Sequence, residues 1–265
     1  MKMTTMMTMA LAVLFTAGAA MAQIQATIIT PEGRRIEGTI RWKPGEKKYA
    51  VTQKGKNVEM AMEAANIKDL EVARPNELVA AIDKIRQGDA ATAIPMLEKV
   101  AKDYLMLKWD KVATRYLAEA NLKDGNFDKA IAVCETIIRS DPKAAYLGDM
   151  APCYWQALMK KGRTSTVEEL LGQAIKSGDR TASAFTQIMR GDVILAGGET
   201  PENAKKALRD GYLRVVTLYK AVRDAQPEAL YKAAKCFDKL GQTSRADQMR
   251  TQLKGEFAAS EWAKK

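Results

Sequence analysis

Residues 116–142 read YLAEANLKDGNFDKAIAVCETIIRSDP, and this stretch decides the fold. Two runs with helical apolar spacing flank a Gly-Asn-Phe turn at 125–127, and Pro142 ends the second run. Ala118 and Ala130 stand where two antiparallel helices would touch. The stretch therefore predicts a pair of antiparallel helices joined by a glycine turn.

The turn glycine recurs along the chain, with successive spacings of 37, 37, 36 and 43 residues. The turn positions are Gly88, Gly125, Gly162, Gly198 and Gly241. A period of this length is typical of stacked helical repeats, in which each repeat buries its apolar face against its neighbours. The spacing predicts a mainly α fold over residues 75–265, an α-α superhelix of about five helix pairs with an insertion in the fourth.

Small residues recur in phase with the turns. Seven residues before the glycine stand Ala81, Ala118, Gly191 and Ala234, and five residues after it stand Ala93, Ala130 and Ala246. The third unit differs, because it has Trp155 and Val167 at these two places. Small side chains at these positions would let paired helices approach closely.

Residues 23–74 predict a separate small β domain. RIEGTIRW at 35–42 alternates apolar and polar residues, which is typical of a half-buried strand. Further strands are predicted at 23–30, 48–53, 57–62 and 67–72, with a helical turn at 64–66. Five short strands and a helical turn before the last one resemble an SH3-like barrel, so we expect a small β-barrel-like unit.

The first 22 residues have the pattern of a secretory signal peptide. Lys2 gives a positive start, residues 10–20 are apolar, and Ala20-Met21-Ala22 is a small-x-small cleavage site before Gln23. No later stretch approaches the roughly 20 apolar residues of a membrane-spanning helix. We expect an exported protein, either periplasmic or extracellular and associated with the outer membrane.

Residues 76–262 resemble bacterial exported tetratricopeptide repeat (TPR) proteins, most clearly at 116–142. The end of the chain, with Ser260-Glu261-Trp262-Ala263, is similar to the terminal repeat of cell-envelope members of the Tol-Pal coordinator and outer-membrane assembly lipoprotein types. The resemblance implies a curved solenoid whose concave surface binds an envelope protein or peptide. It does not assign the chain to either system.

In this family the first helix of each pair lines the concave groove. Matching by distance from the turn glycine selects Arg115, Glu119, Lys123, Gln156, Lys160, Tyr231, Lys235 and Lys239. Their cations would suit an acidic or carboxylate ligand. The family's dicarboxylate clamp is not predicted, because Glu119 and Cys153 occupy two positions where it needs Lys and Asn. The alternative is a solvated helix face.

The formal net charge of +10 offers a second hypothesis. Arg34, Arg35, Arg41 and Lys43 of the β domain could bind an anionic envelope polymer or a membrane surface. Nucleic acid is not an expected partner of an exported protein. The alternative interpretation is that the charge only aids solubility.

The sequence offers little for catalysis. It contains no histidine, and its three cysteines have no metal-binding spacing. It has neither a P-loop nor a dinucleotide-binding fingerprint. We therefore expect a non-enzymatic protein with no catalytic residues, metal or cofactor. A disulfide between Cys134 and Cys153, on successive predicted helices, is left open.

Export predicts a defined new N-terminus. When the chain is expressed with export in a bacterial host, its intact mass should correspond to a protein that begins at Gln23. Ala22→Asp should block cleavage, because the site needs a small residue there. The control Met21→Leu changes only the position between the two small residues and should still be cleaved. An uncleaved wild-type chain would contradict the prediction.

Overall fold

The structure is a computed structural model that describes residues 23–265. It contains two compact units, residues 23–71 and 72–265. The predicted signal peptide, residues 1–22, lies outside the described residues. No described helix is long and apolar enough to cross a membrane.

The first unit is built around a five-stranded sheet with the order β4-β3-β2-β1-β5. The strands are β1 Ile24–Ile29, β2 Arg35–Lys43, β3 Lys48–Gln53, β4 Glu59–Met62 and β5 Asp69–Val72, with a 3₁₀ turn at Ala64–Asn66 before the last. Strands β1 to β4 pair antiparallel with their sequence neighbours. The predicted strands are therefore confirmed within two residues at each end. Closure into a barrel stays a prediction, because β4 and β5 are the two ends of this order.

Strand β2 shows why the sheet packs closely. Ile36 and Ile40 alternate with exposed or half-buried neighbours and lie in the core with Ile28 and Val51. Gly38 stands between the two isoleucines on the same side, where a Cβ atom would come within 2.1 Å of the Thr52 carbonyl oxygen. Only glycine fits this close backbone approach.

The second unit is helical. Its helices are α1 Asn76–Arg86, α2 Ala90–Asp103, α3 Trp109–Lys123, α4 Phe127–Ile138, α5 Ala151–Lys160, α6 Thr164–Lys176, α7 Arg180–Ala196, α8 Pro201–Ala207, α9 Leu213–Leu218, α10 Gln226–Lys239 and α11 Thr243–Glu256. They form five consecutive pairs, in the fourth of which α8 and α9 together take the place of a single second helix. The predicted pairs are confirmed, and the superhelical arrangement stays a prediction.

Each predicted turn glycine follows the first helix of its pair with a positive φ, from 68° at Gly241 to 126° at Gly198. This backbone region costs glycine least, which is why glycine ends these helices. The predicted small residues are also buried at the pair contacts, with Ala81, Ala118 and Ala130 completely inaccessible. The small residues that recur at fixed distances from the turn glycines are therefore buried in the folded protein.

The third pair departs from this pattern and has large residues at the same two places. Trp155 on α5 and Val167 on α6 are both completely buried. The indole Nε1 of Trp155 donates a hydrogen bond of 2.8 Å to the carbonyl oxygen of Ala145. Ala145 belongs to a 3₁₀ turn, Pro142–Ala145, in the long connection between α4 and α5. Trp155 thus fastens this connection to the third pair.

The predicted insertion in the fourth pair takes the form of a π-helical turn, Leu208–Tyr212, between α8 and α9. The turn packs against α7 at Gly191, where a Cβ atom would lie 2.5 Å from Cε1 of Tyr212. Gly211 also lies close to Gly191, since its own Cβ would lie 2.9 Å from the Gly191 Cα. Tyr212 is completely buried and cannot move aside.

Gly191→Ala should therefore destabilise the protein although alanine is the better helix former. Overpacking should lower the free energy of unfolding by about 1–3 kcal/mol, measured by urea denaturation. Gly172→Ala in α6 is the matched control, because a Cβ there meets nothing within 4 Å. The control should be neutral or gain up to ~1 kcal/mol. Equal effects of both substitutions would show that the Tyr212 contact is not tight.

Candidate functional site

The helical unit contains a cavity of about 1050 Å³. Its walls come from α3, α5, α7 and α10, which are first helices of successive pairs, and from residues that follow α11. Among its lining residues are Arg115, Glu119, Lys123, Gln156, Lys160, Ala182, Phe185, Glu228, Glu261, Trp262 and Lys265. Residues distant in sequence thus share one concave surface.

Helix α3 contributes three charged residues at four-residue intervals. Arg115, Glu119 and Lys123 lie on one helix face because 3.6 residues make a turn. The buried residues of the same helix, including Ala113 and Leu117, lie on other faces and pack in the core. In α5 the same spacing places Gln156 and Lys160 on the cavity wall.

Five of the eight residues predicted for the groove line this cavity: Arg115, Glu119, Lys123, Gln156 and Lys160. The three predicted on α10 do not. Tyr231 lies against the Trp262 ring, Lys235 lies beside the Tyr231 ring, and Lys239 forms an ion pair with Glu199. Whether any of the eight binds a partner stays a prediction.

The cavity carries both signs of charge. Its cations are Arg115, Lys123, Lys160 and Lys265, and its carboxylates are Glu119, Asp149, Asp179, Asp224, Glu228 and Glu261. Matching repeat positions found only one of these carboxylates, because most of the others lie at helix starts and connections that the repeat spacing does not fix. A ligand would therefore be selected by where charges stand, and not by an overall positive field.

Lys123 stands at the centre of this charge arrangement. Its Nζ lies 3.2 Å from Glu119 Oε1 and 3.3 Å from Glu261 Oε2. Burial alone would lower the pKa of Lys123, but the two carboxylates outweigh it and raise the pKa above the usual value. Lys123 is therefore charged at neutral pH and shared between two acids.

Residues 260–265, named here the docked segment, contribute Glu261, Trp262 and Lys265 to the cavity lining. The Trp262 ring lies 5.3 Å from the Tyr231 ring between centroids, and Lys265 Nζ lies 3.6 Å from the centre of the indole. Ser260 Oγ accepts a hydrogen bond of 3.2 Å from the Trp262 backbone N–H and begins a 3₁₀ turn, Glu261–Lys264. The sequence drew attention to Ser260-Glu261-Trp262-Ala263 as a family-like ending, but gave no sign that it enters the groove.

A buried ionic network lies beside the docked segment, between α7, the π-helical turn and α10. Lys232 Nζ donates to Asp192 Oδ2 and to Glu228 Oε1, each at 2.6 Å. The Tyr212 hydroxyl donates to Asp192 Oδ1 at 2.8 Å. Burial would lower the pKa of Lys232, yet Glu228 and Asp192 raise it. Burial raises the pKa of Tyr212, and Asp192 adds to the effect.

The three cysteines are free thiols. Cys134 on α4 is buried and Cys153 on α5 is half-buried, and the disulfide left open by the sequence is not formed. Hydrogen bonding with Cys134 and burial raise the pKa of Cys153, and burial raises that of Cys236 to about 11. All of these pKa values lie above neutral pH, so Cys153 and Cys236 are poor nucleophiles.

The predicted basic surface of the β unit is largely paired. Arg35 forms an ion pair with Glu71, and Arg41 and Lys43 both pair with Glu59 at 2.8 Å. Residues 23–71 contain nine lysines and arginines and seven acids, a net charge of +2. Arg34 is exposed. Counting the cations alone therefore overstated how basic this unit is.

No group of three or more His, Cys, Asp or Glu residues within 23–265 is arranged to hold a metal ion. Comparison with protein families gives two matches, both described as Tetratricopeptide repeat, at residues 78–145 and 228–260. The helix pairs at these two stretches are therefore similar to tetratricopeptide repeats. The first match spans α1 to α4 and the second spans α10 and α11. Comparison with curated proteins and with solved structures gives no match.

The ionic network predicts that Lys232 on α10 stabilises the folded helical unit. Lys232→Met leaves the buried Glu228 and the half-buried Asp192 without their cation and should lower the free energy of unfolding by about 2–3 kcal/mol at pH 7. Part of this loss should be recovered toward pH 5, because the stranded carboxylates then take up protons in the folded state more readily than in the unfolded chain. Denaturant titrations at several pH values measure both effects.

The control for this variant is Lys254→Met on α11, an exposed lysine. It should change stability by no more than ~0.5 kcal/mol at either pH. A Lys232→Met protein as stable as the control would show that the network is solvated and contributes nothing.

Proposed function

We propose that this protein is a non-enzymatic scaffold that binds a peptide segment of another cell-envelope protein in the cavity of its TPR unit. One observation carries the proposal: Arg115, Gln156 and the other cavity-lining groove residues, chosen from separate repeats by their distance from the turn, line a single cavity. Concave surfaces of stacked repeats are typical protein-binding sites.

The proposal includes the superhelical arrangement. Helices α3, α5, α7 and α10 all contribute to the same wall, which is the arrangement that a continuous curve of helix pairs would produce. The absence of histidine and the raised pKa values of the Cys153 and Cys236 thiols favour binding over chemistry. The mixed charge of the wall suits a peptide whose own charges alternate along its length.

Export is the second part of the proposal. The pattern of residues 1–22 supports it and directs the search for a partner to the periplasm, the outer membrane or the cell exterior. An alternative function is the binding of an anionic envelope polymer or a membrane surface by the β unit. The exposed Arg34 favours it, whereas the ion pairs of Arg35, Arg41 and Lys43 weaken it.

A site-specific photocrosslinker separates these functions. Placed at Gln156 in living cells, it should capture a defined envelope protein, identified by mass spectrometry. The control position Glu168 on α6 is exposed and does not line the cavity, so it should give no such product. Arg115→Glu combined with Lys160→Glu should reduce the Gln156 product at least tenfold, because ion pairs at an interface lose complementarity when reversed.

The alternative gives a different result. Polymer binding should place crosslinks at Arg34, collapse between low and high salt, and ignore the two cavity substitutions. Equal crosslinking at Gln156 and Glu168 would contradict the proposed cavity function.

A further inference from the structure

The most unusual contact in the helical unit joins residues 138 positions apart, Lys123 on α3 and Glu261 in the docked segment. Repeat proteins are held mainly by contacts between neighbouring repeats. This contact instead runs from the second helix pair to the residues that follow the fifth. It places a carboxylate of the chain on a cation of the proposed groove.

The aromatic contacts of the docked segment also involve a residue that was predicted to lie in the groove. Trp262 covers Tyr231, a residue that the repeat spacing assigns to the groove. Lys232 Nζ lies 5.7 Å from the centre of the Trp262 indole, so the ring also contacts a cation. The docked segment thus meets the groove with an acidic residue followed by an aromatic one, as a bound peptide would.

The docked segment is only partly buried, with Trp262 and Ala263 packed against the edge of the core of the last helices. Its 3₁₀ turn has no fully buried residue, and Glu261 and Lys265 are exposed. The tetratricopeptide repeat match ends at residue 260, so Glu261 to Lys265 lie beyond the repeat. Lys123 keeps Glu119 at 3.2 Å when Glu261 leaves, so departure does not strand a buried charge. Segments with few buried contacts open most readily.

We propose that the docked segment is an internal occupant of the groove, and that the groove's external ligand is a peptide with an acidic residue followed by an aromatic one, which displaces it. This inference rests on the proposed peptide-binding function and specifies its ligand. The external carboxylate takes the place of Glu261 at Lys123, and the aromatic ring takes the place of Trp262 on Tyr231. Partner binding is then set by competition with the chain itself.

The test uses a fluorescein-labelled peptide AASEWAKK, the sequence of residues 258–265, and the chain from Gln23. Wild-type protein should bind the peptide weakly, because its own segment occupies the site. Trp262→Ala should bind it at least tenfold more tightly, since apparent affinity rises with the fraction of protein whose site is open. Adding Lys123→Glu to Trp262→Ala should abolish this gain. A peptide with Gln and Ala in place of its Glu and Trp is the matched control and should not bind.

A second variant tests whether the effect of Trp262→Ala comes from release of the segment or from a folding defect. Glu261→Lys keeps the indole and replaces only the carboxylate, so it should also raise peptide affinity while its circular dichroism and melting temperature stay near those of the wild type. Equal peptide affinity of wild type and both variants, or no binding to either variant, would overturn the proposal. A wild-type dimer whose amount rises with concentration and is lost in Trp262→Ala would also overturn it, because the segment would then occupy a second copy.

The two proposals can fail separately. If the peptide binds Trp262→Ala but the Gln156 crosslinker captures no envelope protein, the internal occupant stands and the envelope partner falls. If the crosslinker captures a partner equally in wild type and Trp262→Ala, the scaffold stands and the competition falls.

Discussion

Each regular helix pair buries a small side chain from both of its helices in one core cluster. Ala118 on α3 and Ala130 on α4 are both completely inaccessible, and Ala81 with Ala93 repeats the arrangement one pair earlier. A glycine with a positive φ between the helices returns the chain so that both alanines lie in the same core cluster. Because this packing and the turn need particular residue types at fixed spacing, both are visible in the sequence. This is the reason that five helix pairs could be predicted from one stretch.

The pairs that break this rule were predicted less well, and for physical reasons. Trp155 cannot allow the close approach that alanine allows, and its indole is held by the carbonyl of Ala145, far from the repeat pattern. In the fourth pair, the spacing of 43 residues showed that residues were inserted, but not that they form a π-helical turn. That turn packs closely on α7 through Gly191, Gly211 and Tyr212, which is a tertiary contact. The residues next to the turn in sequence therefore could not predict its π-helical conformation.

The β unit was predicted almost to the residue, because alternation and turn residues are local signals. The ion pairs of the β unit were not predicted, because the charges that pair across strands lie far apart in sequence. Arg41 on β2 meets Glu59 on β4, and Arg35 meets Glu71 on β5. A list of cations along the chain therefore indicates a surface of one sign where the folded sheet has alternating signs.

The groove was also predicted only in part, because some of its contacts join residues that lie far apart in sequence. Distance from the turn glycine selected the cavity wall on α3 and α5, since each repeat presents its first helix in the same way. It could not show that Tyr231 is covered, because Trp262 reaches it from beyond the last repeat. The chain's net charge of +10 is likewise not concentrated in the cavity, whose lining has four cations and six carboxylates.

A groove of this composition gains little from long-range attraction, so the ligand that we propose for it is recognised by short-range placement of a carboxylate and a ring. The docked segment supplies both at the positions of Lys123 and Tyr231. Because Lys123 retains Glu119 when Glu261 departs, exchange of one acidic ligand for another leaves its charge compensated throughout. The contacts of Glu261 and Trp262 therefore indicate the chemistry of the peptide that we propose displaces them.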